Sequence, residues 1–307
     1  MRMGNDVVKR IRARKKRISN IKTAIVTIAA FAFALIFLTP IILTVTNSFM
    51  SAAEINANYG SVFDNVTKSG KVFIAKSVNL KFIPDMVTFS QYYTVLFKSP
   101  EYLFKFWNSV LYTAVIIVLQ LIIIIPTALA FTQLKSKTFG FVFLIYIILM
   151  MMPFQVTLLP VYIGLRDLEM LDTRCGIIFP MVFSPMYVII MKQFMNTINV
   201  SVIEAVTLET NSLFRVIISA LIPQIKPCIY AVVLFSVAET WNMYEEPVHF
   251  LKNSKLMPLS VFISSISSYE NGIVFGASVI SIIPMLLLFS LFSDYIRKGI
   301  VIGDEIE

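Results

Sequence analysis

One histidine and two cysteines are all that 307 residues offer to metal or thiol chemistry, and only 14% of the chain is charged. His249 cannot by itself assemble a metal cluster or a nucleophile–base pair. Cys175 and Cys228 lie far apart in sequence and give neither a disulfide framework nor a metal spacing. Both thiols read as small apolar packing residues, and no catalytic or metal-binding residue is assigned. A G-x-x-x-x-G-K-[ST] loop is also missing, because Gly70-Lys71 has no first glycine upstream, so the chain has no P-loop to cradle a nucleotide. Soluble domains run at about 45–50% apolar and about 25% charged residues. Here 57% is apolar and the mean hydropathy is +0.80. A surface this apolar has to be covered by lipid.

The charge that is present is unevenly placed. Nine of the Lys and Arg residues stand among the first 22 positions (Arg2, Lys9, Arg10, Arg12, Arg14, Lys15, Lys16, Arg17 and Lys22), against one acid, Asp6. A basic block directly before an apolar run reads as a cytoplasmic flank that sets orientation, not as a nucleic-acid arm. Nor is it a cleavable signal, since the run after Lys22 is too long and no small-residue cleavage site follows.

A membrane-crossing helix needs about 20 apolar residues, and six stretches qualify. They are, to within several residues, Thr23–Phe49, Asn108–Phe131, Phe139–Leu165, Gly176–Met195, Pro227–Tyr244 and Val274–Tyr295. Pro153 and Pro160 interrupt the third, Pro180 and Pro185 the fourth, and Pro284 the sixth. Proline inside a span is tolerated where neighbouring helices or a water-filled cavity satisfy the freed carbonyls. The four in spans three and four predict a bundle with an irregular interior, as transport pathways have. Loop charges put residues 1–22, the Lys135/Lys137 turn, Lys192–Lys226 and the tail after Arg297 in the cytoplasm, and Arg166–Asp172 and Glu245–Glu270 outside. The expected organisation is all-α and polytopic. It comprises a basic segment 1–22, one six-helix membrane domain over 23–299, and a cytoplasmic tail 300–307. An exterior loop over 50–107 holds short β-like runs such as Val72–Ala75. No internal repeat is visible.

The cytoplasmic segment 196–227 is too polar to span and too patterned to be a tether. Ser201-Val202-Ile203-Glu204 is a capping box, in which hydroxyl and carboxylate satisfy each other's backbone amides. It starts a short amphipathic helix through Ala205, Val206, Leu208 and Glu209 to about Phe214, and Pro223 and Pro227 are expected to close this unit before the fifth span.

Glu204-Ala205-Val206, then Glu209, then Ile222-Pro223 resembles the EAA loop of ABC importer permeases, with Glu204 and Pro223 standing 19 residues apart. Pro153-Phe154-Gln155-Val156-Thr157-Leu158-Leu159-Pro160 is similar to the third-span signature of maltose-type sugar permeases. Phe106-Trp107-Asn108-Ser109, Trp241-Asn242 with Pro247, and the ending Asp294-Tyr295-Ile296-Arg297-Lys298-Gly299 fit the same family. One position departs from it: the glycine after the loop acid is Thr210, followed by Asn211.

The resemblance implies a type I ABC importer permease fold with a short cytoplasmic coupling helix, in a bacterial plasma membrane. It implies a subunit that binds no cofactor itself, with ATP and Mg used by a separate cytoplasmic ATPase dimer. The further partners implied are a second homologous permease, an extracellular or lipid-anchored solute-binding protein, membrane lipid and a sugar. Ser201, Glu204, Ala205, Leu208, Glu209, Thr210 and Asn211 would then make the ATPase contact, while Glu204 would also complete its cap. Polar or aromatic residues at span depth are the candidates for the substrate path: Gln120, Gln155, Thr157, Tyr187, Trp241 and Asn242. Each has an alternative use, as an interhelical hydrogen bond or as an interfacial aromatic, and Met150–Met152 reads as soft filler. Two other functions compete, a non-sugar importer permease and an ion-coupled carrier with Glu239 as its coupling acid. The carrier would usually show inverted repeats. A membrane scaffold would have no need of polar residues and prolines inside spans.

Overall fold

The structure, a computed structural model, describes residues 2–59, 80–134, 136–198, 206, 212–265 and 271–304. Among these no strand occurs. Five helical stretches are long and apolar enough to cross a membrane: Ile21–Asn47, Pro100–Gln133, Arg174–Met195, Phe214–Trp241 and Ile273–Ser293. A sixth is counted when Lys137–Met151 and Phe154–Asp167 are taken as one broken span, bent by 105°. The predicted helix beginning at Ser201 and the run Val72–Ala75 fall outside the described residues.

The chain forms two compact units, Met1–Tyr92 with Ser267–Val279, and Tyr93–Ile266 with Ile280–Glu307. In the first, helix α1 (Arg2–Asn47) presents its apolar side chains outward along the whole of its spanning stretch, as a helix in lipid does. Where α1 ends, its last carbonyls lose their helical donors. Gln91 replaces them: its amide donates to the carbonyls of Asn47 at 2.8 Å and Met50 at 2.9 Å, while its oxygen accepts from the Gly276 amide at 2.9 Å. A small core of Met50, Ile55 and Tyr59 sits on the short helix α2 (52–59) and the turn before it. Outside it, Glu54 accepts from the Asp85 amide at 2.8 Å and pairs with Lys81 at 3.0 Å.

The second unit is built round α3 (Pro100–Gln133), against which α6 (Arg174–Val182), α7 (Pro185–Met195) and α8 (Ile222–Trp241) all pack. Between α3 and α6 run α4 (Lys137–Met151) and α5 (Phe154–Asp167). One core joins Ile124 and Ala128 of α3 to Met191, Ile225 and Val232. Another joins Tyr112 and Ile116 to Leu165, Ile177, Phe250 and Leu251. After α8 come α9 (Glu245–Phe250), a single 3-10 turn at Ser254–Leu256, α10 (Leu259–Ser265) and α11 (Asn271–Asp304).

The fifth span begins earlier than the sequence predicts. Pro223 and Pro227 lie inside the helical stretch and do not close the preceding segment. The reason is local. A π turn at Ile217–Leu221 leads in, with the Ile222 amide reaching back to the Ile217 carbonyl. Pro223 then stands directly after the π turn, in the first turn of α8.

The turn from α5 to α6 is tightly built. Glu169 and Asp172 have φ of 55° and 59°, the left-handed region that short or turn residues tolerate. Thr173 caps α6 by accepting from the Gly176 amide at 3.2 Å. Asp172 accepts from the amides of Asn253 at 2.7 Å and Lys252 at 2.8 Å, and these two bonds hold its carboxyl below its ordinary range. A Cβ on Gly176 would stand 2.4 Å from the Met170 carbonyl oxygen, whereas one on Gly164 would meet nothing within 4 Å. Gly176→Ala is therefore expected to lower the melting temperature of the detergent-solubilised protein sharply. Gly164→Ala should leave it unchanged or raise it, by about 0.5–1 kcal/mol of helix preference; fluorescence-detected size-exclusion after a heating series measures both.

Candidate functional site

Two spans of the second unit are broken, both at the residue before a proline. Such residues are pushed out of helical conformation by the proline ring. Met152 before Pro153 adopts φ −72°, ψ 127°, and Ser184 before Pro185 adopts φ −125°, ψ 100°. Proline 185 also lacks the N–H that would have bonded the Met181 carbonyl four residues back. In hydrocarbon, with no water to compensate, that carbonyl needs another donor.

Gln120 is the donor. Its side-chain amide reaches the Met181 carbonyl at 2.7 Å, and its oxygen accepts from the Ser236 hydroxyl, so one buried glutamine ties α3 to α6 and α8. The same face of α3 continues the pattern. Tyr112 donates to the Leu256 carbonyl at 2.8 Å, and Asn108 donates to the carbonyls of Lys255 at 2.7 Å and Met257 at 3.1 Å. Ser109 accepts from the Leu259 amide at 2.8 Å, and buried Lys105 bonds the carbonyl and hydroxyl of Ser254 while pairing with Glu101 at 3.4 Å. Arg174 completes the set, donating to the Asn108 oxygen at 3.0 Å and lying 5.9 Å over the Tyr112 ring. Residues three and four apart share a helix face, so positions 105, 108, 109, 112 and 120 form one polar stripe. The stripe satisfies the non-helical backbone around it.

Two cavities open between these elements. The larger, about 510 Å³, is bounded by both proline breaks: Met152 and Phe154 on one side, Phe183 and Ser184 on the other. Thr157 lines it, with its hydroxyl donating to the Phe154 carbonyl at 3.0 Å. Among the described residues, the charged ones on its wall are Glu239 and Glu246. Tyr187, itself buried, donates to Glu239 at 2.6 Å. Burial pushes the Glu246 carboxyl above its ordinary range, a backbone hydrogen bond pulls the other way, and the nearby Glu239 and Glu245 add to the rise while His249 opposes it. The smaller cavity, about 250 Å³, is lined by Trp241, Asn242, Tyr244, Ser260 and Ser264 among others. Trp241 is held there by its Nε1–H on the Ser281 carbonyl at 3.0 Å and by an edge-on contact to Phe106 at 5.6 Å.

The six residues picked from sequence for a substrate path thus separate. Trp241 and Asn242 share the smaller cavity, Thr157 lines the larger, and Tyr187 stands behind its wall. Gln120 lines neither and is hydrogen-bonded between helices, and Gln155 is exposed on α5 and lines neither. Of the loop set, Ser201, Glu204, Ala205, Leu208, Glu209, Thr210 and Asn211 all lie outside the described residues. Glu246 escaped sequence reasoning as a site residue. The signal was present in Glu245-Glu246-Pro247, an acidic pair just after a span, but nothing in one dimension returns it to the breaks in spans three and four.

No family model matches the chain. Curated proteins do. It is 23% identical over 294 residues to the arabinooligosaccharides transport system permease protein AraQ of Halalkalibacterium halodurans, covering 94% of this chain and 98% of that one. It is 26% identical over 242 residues to AraQ of Bacillus subtilis, covering 77% and 85%. It is also 26% identical over 200 residues to the sn-glycerol-3-phosphate transport system permease protein UgpE of Brucella abortus, covering 64% and 71%. Among solved structures, a chain of a bacterial ABC transporter involved in the import of the acidic polysaccharide alginate superposes with a TM-score of 0.72 at 24% identity, over 92% of this chain and 98% of that one. The fold is that of an ABC importer permease. The chain is a transport-system permease, a multi-pass membrane subunit and not an enzyme.

Two outcomes follow from the geometry. Gln120→Leu leaves the Met181 carbonyl unpaired, at about 1–3 kcal/mol, and is expected to lower thermal stability in detergent; a loss of function with unchanged melting would contradict a bracing role. Glu246 has its carboxyl raised by folding, so its stabilising balance is complete below the ordinary glutamate range and is lost as pH rises through the raised value. Glu246→Gln should therefore melt higher than the parent at neutral pH, with the difference shrinking as pH falls through the raised value and gone by about pH 4. Melting curves across pH 4–8 test the sign.

Proposed function

We propose that the chain forms half of the translocation path of an ATP-driven importer for a sugar or oligosaccharide. The observation that carries this reading is similarity along 94% of the chain to a permease whose name gives arabinooligosaccharides as its cargo. Both cavities support it chemically. Each sets aromatic rings beside hydrogen-bonding groups, Trp241 with Asn242 and Ser260 in one, Phe154 and Phe250 with Thr157 and Glu239 in the other, and a sugar presents both a C–H face and hydroxyls. The relatives' names differ on cargo, ranging from arabinooligosaccharides to sn-glycerol-3-phosphate, so they leave its charge open.

In this reading the basic segment 1–22 and the tail after Arg297 face the cytoplasm of a bacterial cell. The chain binds no cofactor. A separate ATPase dimer uses ATP and Mg, a second, homologous permease supplies the other half of the path, and an extracellular or lipid-anchored binding protein delivers solute. The loop Ser201–Asn211 is the docking helix for the ATPase, with Glu204 both capping the helix and facing the partner. ATPase closure would rock the spans as rigid bodies about that contact.

Affinity purification in mild detergent is expected to bring an ATPase subunit with the chain. Glu204→Lys should abolish that association and ATP-driven uptake while the protein remains in the membrane, since a lost cap is worth about 1 kcal/mol, whereas like charges at an interface cost several. Glu204→Gln, which still caps, should keep both. Normal assembly and uptake in both variants would reduce Glu204 to a cap and remove the docking assignment.

A further inference from the structure

We propose that the larger cavity selects what enters it by charge, admitting neutral or cationic solutes and turning away anionic ones, with Glu239 and Glu246 as the specificity-determining residues. This rests on the importer reading for its cargo, and on the cavity's own geometry for its sign. The cavity is about 510 Å³, within the range of small-molecule sites, and open on one side, with Glu246 half-buried and Glu239 exposed on its wall. Apolar side chains, Phe154, Phe183, Phe250 and several methionines among them, make most of its wall. Apolar walls lower the local dielectric, so the few charges present act strongly inside. Both of those charges are carboxyls, and among the described residues no lysine or arginine lines the cavity to offset them.

The two acids are also set as acceptors. Tyr187 donates to one oxygen of Glu239 at 2.6 Å and so fixes the carboxylate on the wall. Among the described residues no other donor engages it. A carboxylate so placed takes hydrogen bonds from the vicinal hydroxyls of a sugar, or pairs with the ammonium of an amino sugar. It repels a uronate or a phosphate ester. Glu246 reaches the same space from α9, on the far side of the turn that ends α8. One acid is thus contributed by a spanning helix and one by the loop helix after it, so the pair converges only in the folded unit.

The test needs no knowledge of the cargo. In a background with Cys175→Ser and Cys228→Ala, Thr157→Cys places a thiol on the cavity wall, and Ser184→Cys is a second reporter on the opposite break. Ser264→Cys, in the smaller cavity, whose wall has no charged residue among the described residues, is the reference. Membranes carrying the full chain are labelled with two small thiosulfonates, one bearing a trimethylammonium and one a sulfonate. The cation-to-anion rate ratio at position 157 or 184 should exceed that at 264 by about tenfold or more. Combining Glu239→Gln with Glu246→Gln should bring it down to the reference. Equal ratios at the two cavities, or a ratio that the double substitution leaves unmoved, would overturn the proposal. Labelling requires neither ATP nor an ATPase, so this result is independent of the Glu204 experiment, which alone bears on the importer reading.

Discussion

A carbonyl without a donor inside hydrocarbon is the constraint from which the second unit is built. Proline 185 leaves the Met181 carbonyl in that state, and Gln120 answers it across the helix interface with a 2.7 Å bond. Buried backbone has a like need at the turn Ser254–Leu256 and the residues flanking it, where the chain leaves helical form outside the apolar spans. There Lys105, Asn108, Ser109 and Tyr112 supply the missing partners. A lipid-embedded chain can break its helices only where another element restores these bonds. One face of α3 does so for two separate segments and also holds the Ser236 hydroxyl of α8, and the positions of α6, α8 and the loop after α9 follow from it.

That arrangement explains how cavities coexist with stability. Breaks at Met152-Pro153 and Ser184-Pro185 widen the space between α4, α5, α6 and α7 and open the larger cavity. An unbraced break would leave unpaired backbone facing it. Braced by Gln120, the fourth span keeps a fixed shape, and Ser184, Phe183 and Met181 become wall residues at set positions. The acids then have a defined place to stand. Tyr187 on α7 and Glu239 on α8 meet at 2.6 Å because α7 and α8 both pack on α3.

Much of the architecture was legible in one dimension, and for an identifiable reason. Lipid demands long apolar runs, so span count survives without any knowledge of packing; the sixth span, predicted at Val274–Tyr295, is found at Ile273–Ser293. The kink at Pro153 was legible for the same reason, since the ring constrains its neighbour locally. Pro223 and Pro227 misled because a proline's effect depends on its place within the helix, and a π turn upstream moved the start of the fifth span before both. Gln120 was read as polar at depth, which is correct, yet its partner, a carbonyl freed by Pro185, lies 61 residues away. Asn108 and Ser109 stood out only through family resemblance, and the structure supplies their physical role.

The sequence by itself determined that this chain crosses a membrane, about how many times, and that Pro153 and Pro185 interrupt its third and fourth spans, while Pro160, Pro180 and Pro284, read the same way, lie inside intact helices. These are properties of composition and of local backbone sterics, and they need no contact between distant residues. The tertiary structure alone decided which polar residues brace and which line a cavity. It also decided that Glu246, on a loop helix, joins Glu239 on the wall between two proline breaks. Such assignments depend on which carbonyl a side chain can reach and which acids share one cavity wall. Helix packing sets both, and hydropathy records neither.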